Sequence, residues 1–389
     1  MDTKTVLSRF PLVPRPRPPC SALRTRAARI SDLAAQAARD QDLAAASAVF
    51  NQAALLASDC GAADQARQWC RQHAGIYLRA CPLDAGSGRL ALEPLVNLAR
   101  LDIRDGNGAA AYTLLDTLYQ AVCHETPVVI DGIAIPVPQL TYTSGDLDSV
   151  RRWLWTVHLA DSPRALISAG RWHDALAHLE HHHGIGQRML DGRQVAVIAR
   201  YLTGDAQGAL AIVQDTVTTE PWEDLVSECL TALCAPGHSA SKRWPRTVLG
   251  AYLNLAAASP AELLMFTTRL GLTVIDACGG TAHSHSRAVA HDLITRVIRL
   301  RDGYATRELL ARQDCRALLT AEEEDALLSI ADFCALGHGN IPGQVQDQLT
   351  AALCAARENI SQHIGPPRTP PQRSSQVAAP ACSANSRQN

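Results

Sequence analysis

From Leu23 onward the apolar positions follow helical patterning, interrupted at intervals by glycine. The clearest stretch, Ala165-Leu-Ile-Ser-Ala-Gly170-Arg-Trp-His-Asp-Ala175-Leu176, is echoed 34 positions later as Ala199-Arg-Tyr-Leu-Thr-Gly204-Asp-Ala-Gln-Gly-Ala209-Leu210. In both copies a helix-forming run meets a glycine, and an alanine-leucine pair follows five and six residues on. This punctuation predicts paired antiparallel helices that bury their faces only against neighbouring pairs. Gly61 with Ala66 and Gly106 with Ala111 show the same offset, although the four glycines are 45, 64 and 34 residues apart. The two longer intervals predict insertions between hairpins.

One insertion is legible. Val-Val-Ile and Ile-Ala-Ile flank Asp131-Gly132, a dipeptide suited to the type I′ turn of a β-hairpin, with Pro127, Pro136 and Pro138 blunting its edges. The expected fold class is therefore all-α: a superhelical stack of antiparallel helix pairs with one small β-hairpin near 127–136. Helices are predicted at 44–57, 62–78, 92–103 and 109–122, with a boundary at 39–42. Further helices are expected at 221–233, 245–258, 260–272, 286–302, 306–313, 322–336 and 343–363. Two carry start signals: Ser259-Pro260-Ala-Glu262 and Thr320-Ala-Glu-Glu323 each read as a capping box.

These patterns divide the chain into four segments. Residues 1–22 end in Pro14-Arg-Pro-Arg-Pro-Pro and read as an extended or disordered arm, because proline lacks the amide donor and restricts the residue before it. Residues 23–235 carry the repeats and the hairpin, and 236–364 are expected to continue the array. Residues 365–389, rich in Pro and Ser and poor in hydrophobes, read as a disordered tail.

Composition narrows the function classes. Hydrophobic residues make up 47% of the chain but aromatics only 4%, so the interior must be built from Ala, Leu, Val and Ile. Close helix packing suits that inventory. No run approaches the roughly 20 apolar residues of a membrane span. The first residues lack the apolar core of a secretory signal, which makes the cytoplasm the expected location. The twelve cysteines are scattered without a Cys-Xaa-Xaa-Cys pair and read as small buried hydrophobes. Seven basic residues against Asp2 make residues 1–29 basic, and the middle of the chain is correspondingly acidic. That acidity argues against a nucleic-acid groove along the array.

Candidate chemistry is sparse. His178 and His182 are i,i+4 neighbours among His173, His181 and His183, so their rings can share a divalent metal, but the sequence identifies no third ligand. The polar end of a repeat helix explains them as well, and no cofactor is expected. Asp276-Ala-Cys278-Gly-Gly-Thr-Ala-His283-Ser-His285, followed by His291-Asp292, pairs a cysteine with histidines in a Gly-Gly loop. That texture suits a nucleophile and base, yet no oxyanion signature accompanies it. Gly184-Ile-Gly186 follows a helix and lacks the third glycine of a dinucleotide loop. The Arg-Pro arm has the composition of a polyproline-type ligand or an electrostatic tether.

Gly170-Arg-Trp-His-Asp-Ala-Leu and Gly204-Asp-Ala-Gln-Gly-Ala-Leu resemble the inter-helix turn and second-helix start of tetratricopeptide repeats. Leu95-Val-Asn-Leu-Ala-Arg-Leu-Asp-Ile-Arg-Asp-Gly106, Leu114-Leu-Asp-Thr-Leu-Tyr-Gln and Leu190-Asp-Gly-Arg-Gln-Val-Ala are similar to stretches of uncharacterised actinomycete proteins with such repeats, over about residues 40–235. The lysine-poor, alanine-rich composition suits that origin. The resemblance implies a concave groove that binds a protein or peptide partner, and an accessory or regulatory role in a peptide or secondary-metabolite pathway. Regulators of this kind carry a helix-turn-helix module ahead of the repeats, but residues 1–40 are too short and proline-rich for one. The side chains expected to line the groove are Asn97, Arg152, Trp153, Arg200 and Tyr201. A small-molecule enzyme with a site around Asp276–Asp292, or a transcription-associated regulator without its own helix-turn-helix, are the alternatives.

Overall fold

The computed structural model describes residues 3–235 and 246–364; the tail expected at 365–389 and the first residue of the helix expected at 245–258 lie outside them. The described residues are mostly helical, with one two-stranded antiparallel sheet. The helices in chain order are α1 (Thr3–Leu7), α2 (Leu23–Asp40), α3 (Leu43–Asp59), α4 (Ala63–Leu78), α5 (Ala85–Arg104) and α6 (Gly108–His124). The hairpin β1 (Val128–Ile130) and β2 (Ile133–Ile135) follows, then α7 (Ser144–Ser168), α8 (Trp172–His181), α9 (Asp191–Leu202), α10 (Ala206–Gln214) and α11 (Pro221–Cys234). The remainder comprises α12 (Arg246–Ala258), α13 (Leu264–Ala277), α14 (Ser284–Leu300), α15 (Gly303–Leu310), α16 (Gln313–Arg316), α17 (Ala321–Cys334) and α18 (Gly343–His363).

Each of the four glycines sits at the turn of a helix pair, with φ of 82° at Gly61, 81° at Gly106, 75° at Gly170 and 85° at Gly204. In every case the next residue's N–H bonds a carbonyl five positions back: Ala62 to Ala57, Asn107 to Asp102, Arg171 to Leu166 and Asp205 to Arg200. This is the left-handed glycine closure of a helix C-terminus. The alanine five residues on is fully buried in all four pairs (Ala66, Ala111, Ala175 and Ala209, each 0% exposed), because a larger side chain would hold the paired helices apart. Gly170→Ala is expected to cost about 1 kcal/mol in chemical denaturation, since the site is open but its φ disfavours any Cβ.

The β-hairpin forms around Asp131-Gly132 with Val128 opposite Ile135 and Ile130 opposite Ile133. Both turn residues have positive φ, 52° and 77°, as a type I′ turn requires. Thr320 forms its capping box with Glu323. Ser259 does not: its hydroxyl instead bonds the Leu255 carbonyl at the end of α12, and a 3₁₀ turn at Ala261–Leu263 precedes α13. The predicted single helix at 260–272 therefore begins late.

From α2 to α16 consecutive helices pack against one another, but the last helix does not extend the row. α18 packs against α2, α3 and α4. The buried residues of α2 (Leu23, Ala27, Ile30, Ala34 and Ala37) form one stripe at alternating steps of four and three. Val345, Leu349, Ala352, Ala356 and Ile360 form the matching stripe of α18. One core cluster thus joins α2–α7 with α18, while a second runs from the end of α7 to α17 and includes Val6, Leu7, Phe10 and Leu12. Each end of the chain completes the core of the other half.

A buried carboxylate ties the two together. Asp59, at the end of α3, accepts hydrogen bonds from Arg26 of α2 (2.6 Å), from Arg104 of α5 and from the Tyr304 hydroxyl of α15 (2.5 Å). Its backbone carbonyl receives the Gly337 N–H beyond α17.

Candidate functional site

The arm expected to be disordered is docked. Its residues 8–22 form no helix or strand, but Phe10, Leu12 and Cys20 are buried and Val6 and Leu7 of α1 lead into the second core. Proline removes donors as well as helix propensity, so few N–H groups of the arm need partners, and the body supplies those. Leu12 N–H donates to Gln194 Oε1 (2.7 Å), and Gln194 Nε2 donates back to the Leu12 carbonyl (2.9 Å) and to the Met189 carbonyl (2.9 Å). Arg17 N–H bonds the Glu262 carbonyl and Cys20 N–H bonds Asp302 Oδ2, both at 2.9 Å.

Two arginines flank the clamp. Arg9 pairs with Asp276 (2.5 Å), a carboxylate it shares with Arg312 (2.8 Å). Arg15 makes a two-pronged pair with Asp191 at the start of α9 (3.1 and 2.6 Å). Beside Pro11 and Arg15 lies a cavity of about 200 Å³ with apolar walls from Leu159, Ile167, Leu179 and Val195.

The residues expected to line a groove have near neighbours of their own. Asn97 donates to Asn51 and accepts from Arg100. Arg152 bonds Ser149, and the Arg89 guanidinium lies 5.6 Å from the centre of the Trp153 ring. Arg200 pairs with Asp205 in its own turn, and Tyr201 is half-buried against the second core. The seat of the arm is made instead by Gln194, Asp191, Asp276 and Asp302. Arginines spaced three before and three after Leu12 were its only sequence signal.

The cysteine–histidine loop is not assembled as a nucleophile and base. Cys278 is buried, and burial holds its thiol above the ordinary range. His283, His285 and His291 are exposed. Asp276 is committed to Arg9 and Arg312.

The histidines of α8 do come together, and with a partner from another helix. His158 of α7, His178 of α8 and His182 at its C-terminus offer nitrogens that all lie within 4.8 Å of one another. The hairpin turn explains the meeting. In an antiparallel pair, residues equidistant from the turn face each other, and His158 and His182 are each twelve residues from Gly170. Ring centroids are 4.7 Å apart for His158 and His178, 5.3 Å for His158 and His182, and 4.6 Å for His178 and His182.

Tyr119 of α6 stacks on His158 at 4.5 Å, and Tyr112 meets His178 edge-on. The Ser162 hydroxyl is 2.9 Å from His158 Nδ1, and the Nε2 of His178 is buried without a partner. Burial, reinforced by the neighbouring rings, pushes His158 down to about 3 and His178 to about 4. At neutral pH both are neutral, with nitrogen lone pairs available. The cluster forms a wall of a pocket of about 360 Å³ that also includes Asp116, Gln120, Arg171 and Asp174. No protein family, curated protein or solved structure gives a significant match to this chain.

Proposed function

We propose that the chain is a peptide-binding helical scaffold, rather than a catalyst, whose N-terminal arm rests in its own binding seat. The Gln194 clamp carries this reading. A carboxamide that accepts from the N–H and donates to the C=O of one residue reads extended backbone and leaves that residue's side chain free to vary. Specificity then comes from Asp276 and Asp191, which hold arginines three residues to either side. The preferred partner is an extended segment with an apolar residue centred between two arginines, and the apolar cavity beside Pro11 accommodates a further side chain. The superhelical, tetratricopeptide-like groove implied by the repeats belongs to this same reading.

The tethered arm competes with any such partner at an effective concentration on the order of millimolar, so binding in trans requires the arm to be loosened. A labelled peptide copying residues 5–20 is expected to bind saturably to the Arg9→Ala/Arg15→Ala chain and much more weakly to the unaltered one. Gln194→Ala in that background should abolish binding; uptake indifferent to Gln194 would exclude the seat. In the unaltered chain Gln194→Ala is expected to cost about 1–3 kcal/mol and to accelerate amide exchange at Leu12, because it strands a buried N–H and C=O.

A further inference from the structure

We propose that His158, His178 and His182 bind one divalent transition-metal ion of the borderline class that favours imidazole, with Zn²⁺ as the reference case. The inference is independent of peptide binding. A four-coordinate ion with nitrogen bonds of about 2.0–2.1 Å sets its donors roughly 3.3 Å apart. Donors already within 4.8 Å reach that spacing by modest ring rotations.

The supporting groups are those a metal site needs. Ser162 Oγ, 2.9 Å from His158 Nδ1, can accept from Nδ1–H; in that tautomer Nε2 is the nitrogen left for the ion, and metal binding selects it. Nε2 of His178 is unpartnered, in a residue more than nine-tenths buried. Asp116 Oδ1 lies 3.8 Å from His158 Nε2, on the pocket wall, where a carboxylate offsets part of the ion's charge. Three protein donors beside a pocket match an ion that keeps one coordination position open.

The competing reading is an aromatic cluster that fills space. His73 shows what that looks like in this protein: it is buried between Phe50 and Tyr77, with neither ring nitrogen bonded, and among the described residues it belongs to no group of three donors. At the α7–α8 hairpin three donors converge instead.

The test uses the full chain, stripped by chelator and titrated with Zn²⁺, and with Co²⁺ for its visible absorption. One equivalent is expected to bind and raise the melting temperature, with a four- or five-coordinate Co²⁺ spectrum, whereas Mg²⁺ leaves both unchanged. His182→Ala, at the half-buried position, should weaken Zn²⁺ binding by roughly 100-fold or more. Ser162→Ala, a positioning change that leaves every ligand in place, should weaken it about 10–100-fold. His181→Ala on the exposed side and His73→Leu in the separate core should leave affinity unaltered. Failure of the unaltered chain to retain Zn²⁺ would overturn the proposal. So would retention that survives His182→Ala together with His158→Gln, or that disappears in His181→Ala.

Discussion

Asp59→Ala is expected to destabilise the protein by about 3–5 kcal/mol, as measured by urea or thermal unfolding. The side chain is fully buried and receives Arg26, Arg104 and the Tyr304 hydroxyl. Arg26 is itself largely buried, and burial alone would drive its charge down; Asp59 is among the neighbours that hold it up. Removing the carboxylate therefore strands a cation away from water, and that desolvation, more than the lost attraction, makes the effect large. Tyr304→Phe removes one hydrogen bond while leaving the ion pairs and should cost only about 1 kcal/mol. Because Asp59 contacts α2, α5 and α15, both core clusters should unfold together in the native chain. An Asp59→Ala effect no larger than that of Tyr304→Phe would show that solvent reaches the site.

Acidification should destabilise the protein through His73. Burial pushes this histidine down to about 3 from an ordinary value near 6.5. Above pH 6.5 it is neutral in both folded and unfolded chains and contributes no pH dependence. Below that, the unfolded chain takes up a proton that the native chain refuses, so the contribution of His73 to native stability falls by about 1.4 kcal/mol per pH unit until pH approaches 3, in addition to what His158 and His178 contribute. Between pH 6.5 and 4.5 the loss is about 3 kcal/mol. His73→Leu removes the titrating group at similar volume, and since neither ring nitrogen is hydrogen-bonded no partner is left stranded. The variant should match the native chain at pH 7 and exceed it by about 3 kcal/mol at pH 4.5. Parallel pH profiles for the two proteins would exclude His73 as the source.

The histidine cluster shows how far sequence reasoning reaches. His178 and His182 were legible as a pair because four residues span one helical turn. His158 sits 20 residues earlier, in a helix with Trp153 and Trp155, where nothing local marks it. The missing signal was reflection about Gly170, which becomes usable only once the hairpin is known to close tightly. The arm shows the reverse: its prolines exclude a helix but carry no information on whether the segment packs. Arg9, Leu12 and Arg15 have partners between 176 and 267 residues away, in Asp276, Gln194 and Asp191.

Local chemistry alone determined the pairing of helices at four glycine turns, the buried alanine five residues after each, the Asp-Gly hairpin and the Thr320 cap. Each of these is settled within a dozen residues by backbone sterics and helical periodicity. Tertiary structure decided that α18 returns to α2, that the arm crosses to the second core, that Asp59 gathers three helices and that His158 joins His178 and His182. Those contacts depend on which surfaces remain unburied once the hairpins have stacked, and that is a property of the assembled chain.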